Sequence, residues 1–221
     1  MEKMPYQPDL EPVPPPVTTP QPEPQTTDWR AGLPSLIGSR VTLRELRPGD
    51  APSLLAALTP EQVSRFISPP PSTIEGFERF IAWSHRQRQD GQFVCFAVVP
   101  RGSDMAIGIF QVRSLEPAFG TAEWGFAIAA EFWGSGVFLD GAQLVISFVF
   151  DVLGTHRLEA RAAIRNGRGN GALRKLGAVQ EGVLRRSLFK NGEYLDQALW
   201  TIIGDEWREA KAVWGPRVII H

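Results

Sequence analysis

The stretch Gly125-Phe126-Ala127-Ile128-Ala129-Ala130-Glu131-Phe132-Trp133-Gly134-Ser135-Gly136-Val137 constrains the fold more than any other part of the chain. An apolar strand pattern runs into a short turn with two glycines. An apolar helix pattern, Phe138 to Leu153, follows at once. A strand, a glycine turn and a helix start together make an anion site. The first N–H groups of a helix have no internal partner and point outward, and the helix dipole adds about half a positive charge there. Glycine lets a phosphate come close to the backbone because no Cβ stands in the way. Taken alone, such a turn is as often only a tight connection. Two later segments decide between the readings.

The chain has 221 residues, enough for one ordinary domain with a full core. Its 23 basic and 24 acidic residues leave a net charge of −1, which argues against bulk nucleic acid or an anionic membrane surface as partner. The single cysteine, Cys95, sits in the apolar run Phe93–Val99 and reads as an inert core residue. One cysteine permits no disulfide within the chain, which suits a reducing cytoplasm. No basic region followed by an apolar run opens the sequence, and no apolar run approaches the roughly 18 residues of a membrane helix. The expectation is a cytoplasmic protein that binds neither membrane nor metal.

Residues 1–32 differ from the rest. Nine prolines fall between Pro5 and Pro24, among Gln, Thr and Glu. Such a segment has almost nothing to bury and reads as an extended or disordered tail. Residues 33–221 alternate strand and helix patterns. Val41–Leu46 has strand alternation, and Asp50 is placed to cap a helix with Pro52 in its first turn. Ser72 or Thr73 can cap a second helix from Ile74 to about Gln89, with Phe77, Phe80, Ile81 and Ser84 on one face. Strands are expected over Phe93–Val99, Met105–Arg113, Thr121–Ala130 and Arg157–Ile164, with a short helix over Ala172–Leu176. Val179–Leu188 and Leu195–Ile203 form a terminal hairpin around Lys190-Asn191-Gly192-Glu193. This order implies a single α/β (α+β) domain with one mixed central sheet flanked by helices.

The second informative segment is Asn166-Gly167-Arg168-Gly169-Asn170-Gly171-Ala172-Leu173-Arg174-Lys175-Leu176-Gly177-Ala178. Its asparagines can donate and accept beside a glycine turn, and Arg168, Arg174 and Lys175 add positive charge nearby. A loop with an Asn cap and a Gly C-cap would explain the same residues structurally.

The ordered set Trp133-Gly134-Ser135-Gly136, long helix, Leu153-Gly154-Thr155-His156-Arg157-Leu158-Glu159-Ala160, Asn166, Lys175-Leu176-Gly177-Ala178 and Glu181-Gly182-Val183-Leu184-Arg185 resembles the GNAT N-acyltransferase superfamily. Within it, the chain looks most like the branch of the RimJ and RimL N-terminal acetyltransferases, over about Leu36 to Glu209. The resemblance implies a V-shaped split between two parallel strands that holds acetyl-CoA as acyl donor. It implies pantetheine contacts along Phe126, Ala127 and Ile128 to Ala129. It places the pyrophosphate on the backbone of Gly134, Ser135, Gly136, Val137 and Phe138, with Asn166 and Asn170 beside the cofactor. The physics agrees, since pantetheine amides can pair with a splayed strand edge and a pyrophosphate suits a helix start. The family's usual side chains are absent at four places, where Glu131, Ser135, Leu139 and Gly169 stand instead.

Acyl transfer from a thioester needs a neutral amine. An α-amine of pKa about 8 is neutral in roughly one molecule in ten at pH 7, whereas a lysine amine costs about 4.6 kcal/mol to deprotonate. The acceptor is expected to be a primary amine: a protein N-terminus, an amino acid or a small amine. Glu123, matching a strand glutamate of this branch, is the candidate base, acting directly or through water. Strand alternation sets it on one face with Gly125, Ala127 and Ala129. A salt-bridged structural glutamate is the competing reading. Tyr194 is the candidate general acid, with hairpin packing as its alternative, and His156 and His85 read as structural and surface residues. Acceptor contacts would come from Thr59–Ile74 and the terminal hairpin. The tryptophans are compatible with core packing or with a homodimer surface. A non-catalytic acyl-CoA-binding sensor with the same fold is the alternative function. A Rossmann-type nucleotide enzyme fits poorly because Leu139 stands where a third glycine is needed.

Overall fold

A computed structural model describes residues 28–214 and 219–220. The bulk of the expected proline-rich tail, residues 1–27, lies outside them. Contacts with the body begin by Trp29, whose ring meets Phe119 edge-on at 5.6 Å.

The elements run β1 (Leu36–Ile37), β2 (Val41–Glu45), α1 (Ala51–Leu58), α2 (Glu61–Ser64), α3 (Ile74–Gln89), β3 (Phe93–Pro100), β4 (Gly108–Ser114), β5 (Thr121–Ile128) and α4 (Val137–Asp151). They continue with β6 (Arg157–Ala163), α5 (Gly167–Lys175), β7 (Val179–Lys190), β8 (Glu193–Ile203), α6 (Gly204–Trp214) and β9 (Ile219–Ile220). The strands form one nine-stranded sheet in the order β7-β8-β6-β5-β4-β3-β2-β1-β9. Among the described residues every neighbouring pair is antiparallel except β5 with β6.

Alternation along the central strands divides the core into two layers. Val94, Phe96 and Val98 of β3 join Phe110, Trp124, Leu158 and Ala160 beneath Val145, Phe148 and Val149 of α4. Phe93, Cys95, Ala97 and Val99 face the other way, against Leu54 of α1 and Phe77 and Ile81 of α3. Burying one such side chain contributes about 1.5–3 kcal/mol, so β3, buried on both faces, anchors the sheet. Cys95 lies in this layer, and burial pushes its thiol well above the ordinary range.

Thr73 caps α3 as anticipated, its Oγ1 accepting the Gly76 N–H at 3.0 Å. Asp50 does not cap α1. Its carboxylate takes both Arg44 guanidinium nitrogens at 2.7 and 2.8 Å and the Arg47 N–H at 2.7 Å. A buried guanidinium outcompetes a helix N–H for an ionised carboxylate. Helix α5 starts five residues earlier than expected, because Asn166 and Asn170 staple its glycine-rich first turn. The hairpin turns on Asn191 (φ 49°) and Gly192 (φ 82°), the left-handed pair of a two-residue hairpin loop. Helix α6 escapes the sequence reading because β8 runs straight into it with no intervening loop.

Candidate active site

The parallel pairing of β5 and β6 is brief. Thr121, Ala122 and Glu123 pair with Arg157, Leu158 and Glu159, and the register ends there. Beyond that point β5 keeps only β4 as partner, and β6 keeps only β8. The strands splay, so the edge of β5 from Trp124 to Ile128 has no strand beside it. This is the V-shaped split implied by the sequence. Its α4-side floor is aromatic: Phe126 lies 4.5 Å from Phe138 and 5.4 Å from Trp124, ring to ring.

The bare edge leads directly into the glycine turn. Trp133 ties the two together by donating its indole N–H to the Ile128 carbonyl at 2.9 Å. Gly134 (φ 77°) and Gly136 (φ 86°) both occupy the left-handed region, where other residues are strained. Gly136 is the N-cap of α4. Among the described residues, the N–H groups of Gly134, Gly136, Phe138 and Leu139 find no acceptor. Four free donors at a helix start, beside an open strand edge, fit a chain of amides ending in a diphosphate. The Ser135 hydroxyl is engaged with the Phe132 carbonyl at 2.6 Å, which makes Ser135 a brace of the turn.

The two asparagines across the split serve the protein first. Asn166 caps α5, its Oδ1 accepting the Gly169 N–H at 2.9 Å. Asn170 has its amide engaged at both ends. Nδ2 donates to the Ala163 and Asn166 carbonyls at 2.9 and 2.8 Å, and Oδ1 accepts the Trp200 indole N–H at 2.8 Å. Both polar atoms of the Asn170 side chain are thus already engaged within the protein. Arg168 crosses the mouth of the split, its guanidinium 4.2 Å from the Trp133 ring centroid.

Glu123 is the last paired residue before the strands part. Arg113 of β4 binds its Oε2 through Nε at 3.0 Å and through Nη2, and Arg161 of β6 lies 3.7 Å from Oε1. The carboxylate is thus fixed at the fork between two guanidiniums. Gly125 continues this face, and the Gln111 amide covers it, 3.3 Å from where a Cβ would stand. Ala127 packs against the α1–α3 layer, but Ala129 lies in the α4 layer, since the strand ends at Ile128. Arg113, Arg161 and Gln111 escaped the sequence reading. Their alternation is visible, but which strands lie beside β5 is not.

Tyr194 is 63% exposed on the hairpin, with its ring 4.9 Å from Phe189. Across the sheet Glu123 is level with Glu159 and Thr201. Seven residue-to-residue steps along β8, roughly 23 Å of extended chain, separate Thr201 from Tyr194. The structure does not bring Tyr194 to Glu123. It does join the two segments expected on the acceptor side, as Lys190 at the hairpin tip donates to the Ile67 carbonyl at 2.8 Å. A bulge between Leu184 and Leu188 bends the hairpin, with Arg186 (φ 50°) donating its N–H to Asp196 at 2.8 Å. His156 is exposed and bridges Gly120 and Gly204 through its backbone. His85 is half-buried, with Nε2 2.9 Å from the Leu46 carbonyl.

Residues 40–179 match the model of the acetyltransferase (GNAT) domain, well over half of the chain. The chain belongs to the GNAT acetyltransferase family. A Bacillus subtilis relative, the N-acetyltransferase YoaA, is 27% identical over 174 residues, covering 77% of this chain and 97% of its own. The solved structure of Mycobacterium smegmatis RimJ in complex with CoA-disulfide has a TM-score of 0.71 at 19% identity, covering 83% of this chain and 95% of that one. The Vibrio fischeri ribosomal-protein-S5-alanine acetyltransferase has a TM-score of 0.69 at 22% identity, covering 78% and 98%. The likeness to the RimJ- and RimL-like branch read from the sequence stands. Among the described residues no helix of this GNAT domain is long and apolar enough to cross a membrane.

Proposed function

We propose that this GNAT protein transfers an acetyl group from acetyl-CoA to a primary α-amine, as at a protein N-terminus, an amino acid or a small amine, within the cytoplasm. One observation carries the reading: a bare strand edge at the β5–β6 fork continues into a turn where the N–H groups of Gly134, Gly136, Phe138 and Leu139 have no acceptor among the described residues. The edge from Trp124 to Ile128 would pair with the pantetheine amides. Gly134 to Leu139 would take the diphosphate, and the free Nδ2 of Asn166 remains available across the split. The donor supplies an activated acyl thioester, so the protein's work is positioning and proton management.

An α-amine suits this site better than a lysine amine. The Glu123 carboxylate is held in place by Arg113 and Arg161. An acceptor that is neutral in roughly one molecule in ten needs little from it; one that costs about 4.6 kcal/mol to deprotonate needs far more. In this reading Glu123 hydrogen-bonds and orients the amine, and accepts its proton through water. The bent hairpin and the loop around Ile67 border the acceptor side. The names of the RimJ and ribosomal-protein-S5-alanine neighbours support an N-terminal amine as acceptor.

The test is release of free thiol from acetyl-CoA with α-amino peptides, amino acids and blocked-lysine peptides, for wild type and Glu123→Gln. Release that depends on a free α-amine, reduced about a hundredfold in the variant, supports the assignment. Binding of CoA with no release for any amine would favour a non-catalytic sensor.

A further inference from the structure

The phosphate-facing turn carries the wrong charge for its ligand. From Glu131 to Asp140 there are two acidic residues and no basic one. The turn between β1 and β2 supplies what is missing. Asp140, in the first turn of α4, grips that turn with both oxygens. Oδ1 accepts the Ser39 N–H and hydroxyl at 3.2 and 2.9 Å, and Oδ2 accepts the N–H groups of Arg40 and Val41 at 2.8 and 3.0 Å. Four donors hold both oxygens of the Asp140 carboxylate against the β1–β2 turn. The same clamp lays the Arg40 side chain on the glycine turn. A Cβ at Gly136 would stand 3.0 Å from the Arg40 Nε. Among the described residues, the Arg40 guanidinium has no carboxylate within 4.0 Å. Arg168 approaches from across the split and stacks over the Trp133 ring.

We infer that Arg40 is a donor-binding residue, contributing a charge-assisted hydrogen bond to the diphosphate of CoA from outside the glycine turn. The inference rests on the donor reading above and names a residue of that same site. A guanidinium beside free N–H groups at a helix start is suited to a bridging diphosphate. Gly136 then has two reasons to lack a side chain: its left-handed φ, and the space that Arg40 fills.

Calorimetric titration of wild type, Arg40→Ala and Arg40→Gln with CoA, 3′-dephospho-CoA and pantetheine separates the contributions. The expected result is a loss of about tenfold in affinity for both nucleotides in both variants, with pantetheine unchanged. The difference should shrink as salt rises from 0.05 to 0.5 M. Unchanged nucleotide affinity, an equal loss for pantetheine, or a loss confined to CoA over its dephospho form would each overturn the inference. Wild type that binds no CoA would overturn the donor reading, and the inference with it.

Discussion

Replacing Asn170 by alanine should damage stability far more than donor binding. The amide of this side chain holds three groups: the Trp200 indole N–H at 2.8 Å and the carbonyls of Ala163 and Asn166 at 2.9 and 2.8 Å. Trp200 is only 3% exposed, so truncating Asn170 takes the hydrogen-bond acceptor from a largely buried N–H. An orphaned buried donor costs about 1–3 kcal/mol, and the two carbonyl contacts add roughly 0.5–1 kcal/mol each. The sum is about 2–5 kcal/mol. In a domain of this size 1 kcal/mol moves Tm by about 2–4 °C, which gives a fall of roughly 4–20 °C. Thermal unfolding monitored by calorimetry, with CoA titration well below the transition, measures both quantities. The expected outcome is that fall in Tm with Kd for CoA within about threefold of wild type. An unchanged Tm with lost CoA affinity would refute the reasoning and return Asn170 to the cofactor.

Gly136→Ala forces a left-handed φ of 86° on a residue with a Cβ and drives that Cβ against Arg40. It should lose about 1–2 kcal/mol of stability in urea titration and weaken CoA binding in calorimetry. Glu181 gives a pH-dependent case: hydrogen bonds from Arg157 and then Thr201 hold its carboxyl down at about 2, below the ordinary 4.3. A depressed carboxyl stabilises the fold above its unfolded pKa and loses that contribution as pH falls through its folded value. The side chain is 38% exposed, so the contribution is below about 1 kcal/mol. Wild type should therefore exceed Glu181→Gln in urea midpoint at pH 6, and the gap should close between about pH 4.5 and 2.

Much of the fold was legible because its signals are local. Thr73 before an apolar helix face, Asn191-Gly192 between two apolar runs, and the Gly134–Gly136 turn each name their own geometry. The glycine turn and the fork follow from that order of elements together with the family resemblance. What stayed hidden depends on which strands meet. Asp50 looks like a helix cap until Arg44 folds beside it. Sequence alone leaves Glu123 either free or salt-bridged, and its partners show only when β4 and β6 bring Arg113 and Arg161 to its two oxygens. The engagement of the Asn170 amide is hidden because its Trp200 partner lies thirty residues on, in β8. Arg40 and Asp140 are a hundred residues apart, and nothing near either one announces the clamp.

Amide resonances followed by NMR during titration with CoA test most directly the claim that the fork and the glycine turn form the donor site. The account predicts large shifts for Gly134, Gly136, Phe138 and Leu139 and along Trp124–Ile128, with the hairpin tip at Asn191 and Gly192 unmoved. Saturable binding that shifts residues elsewhere and leaves these amides in place would contradict it.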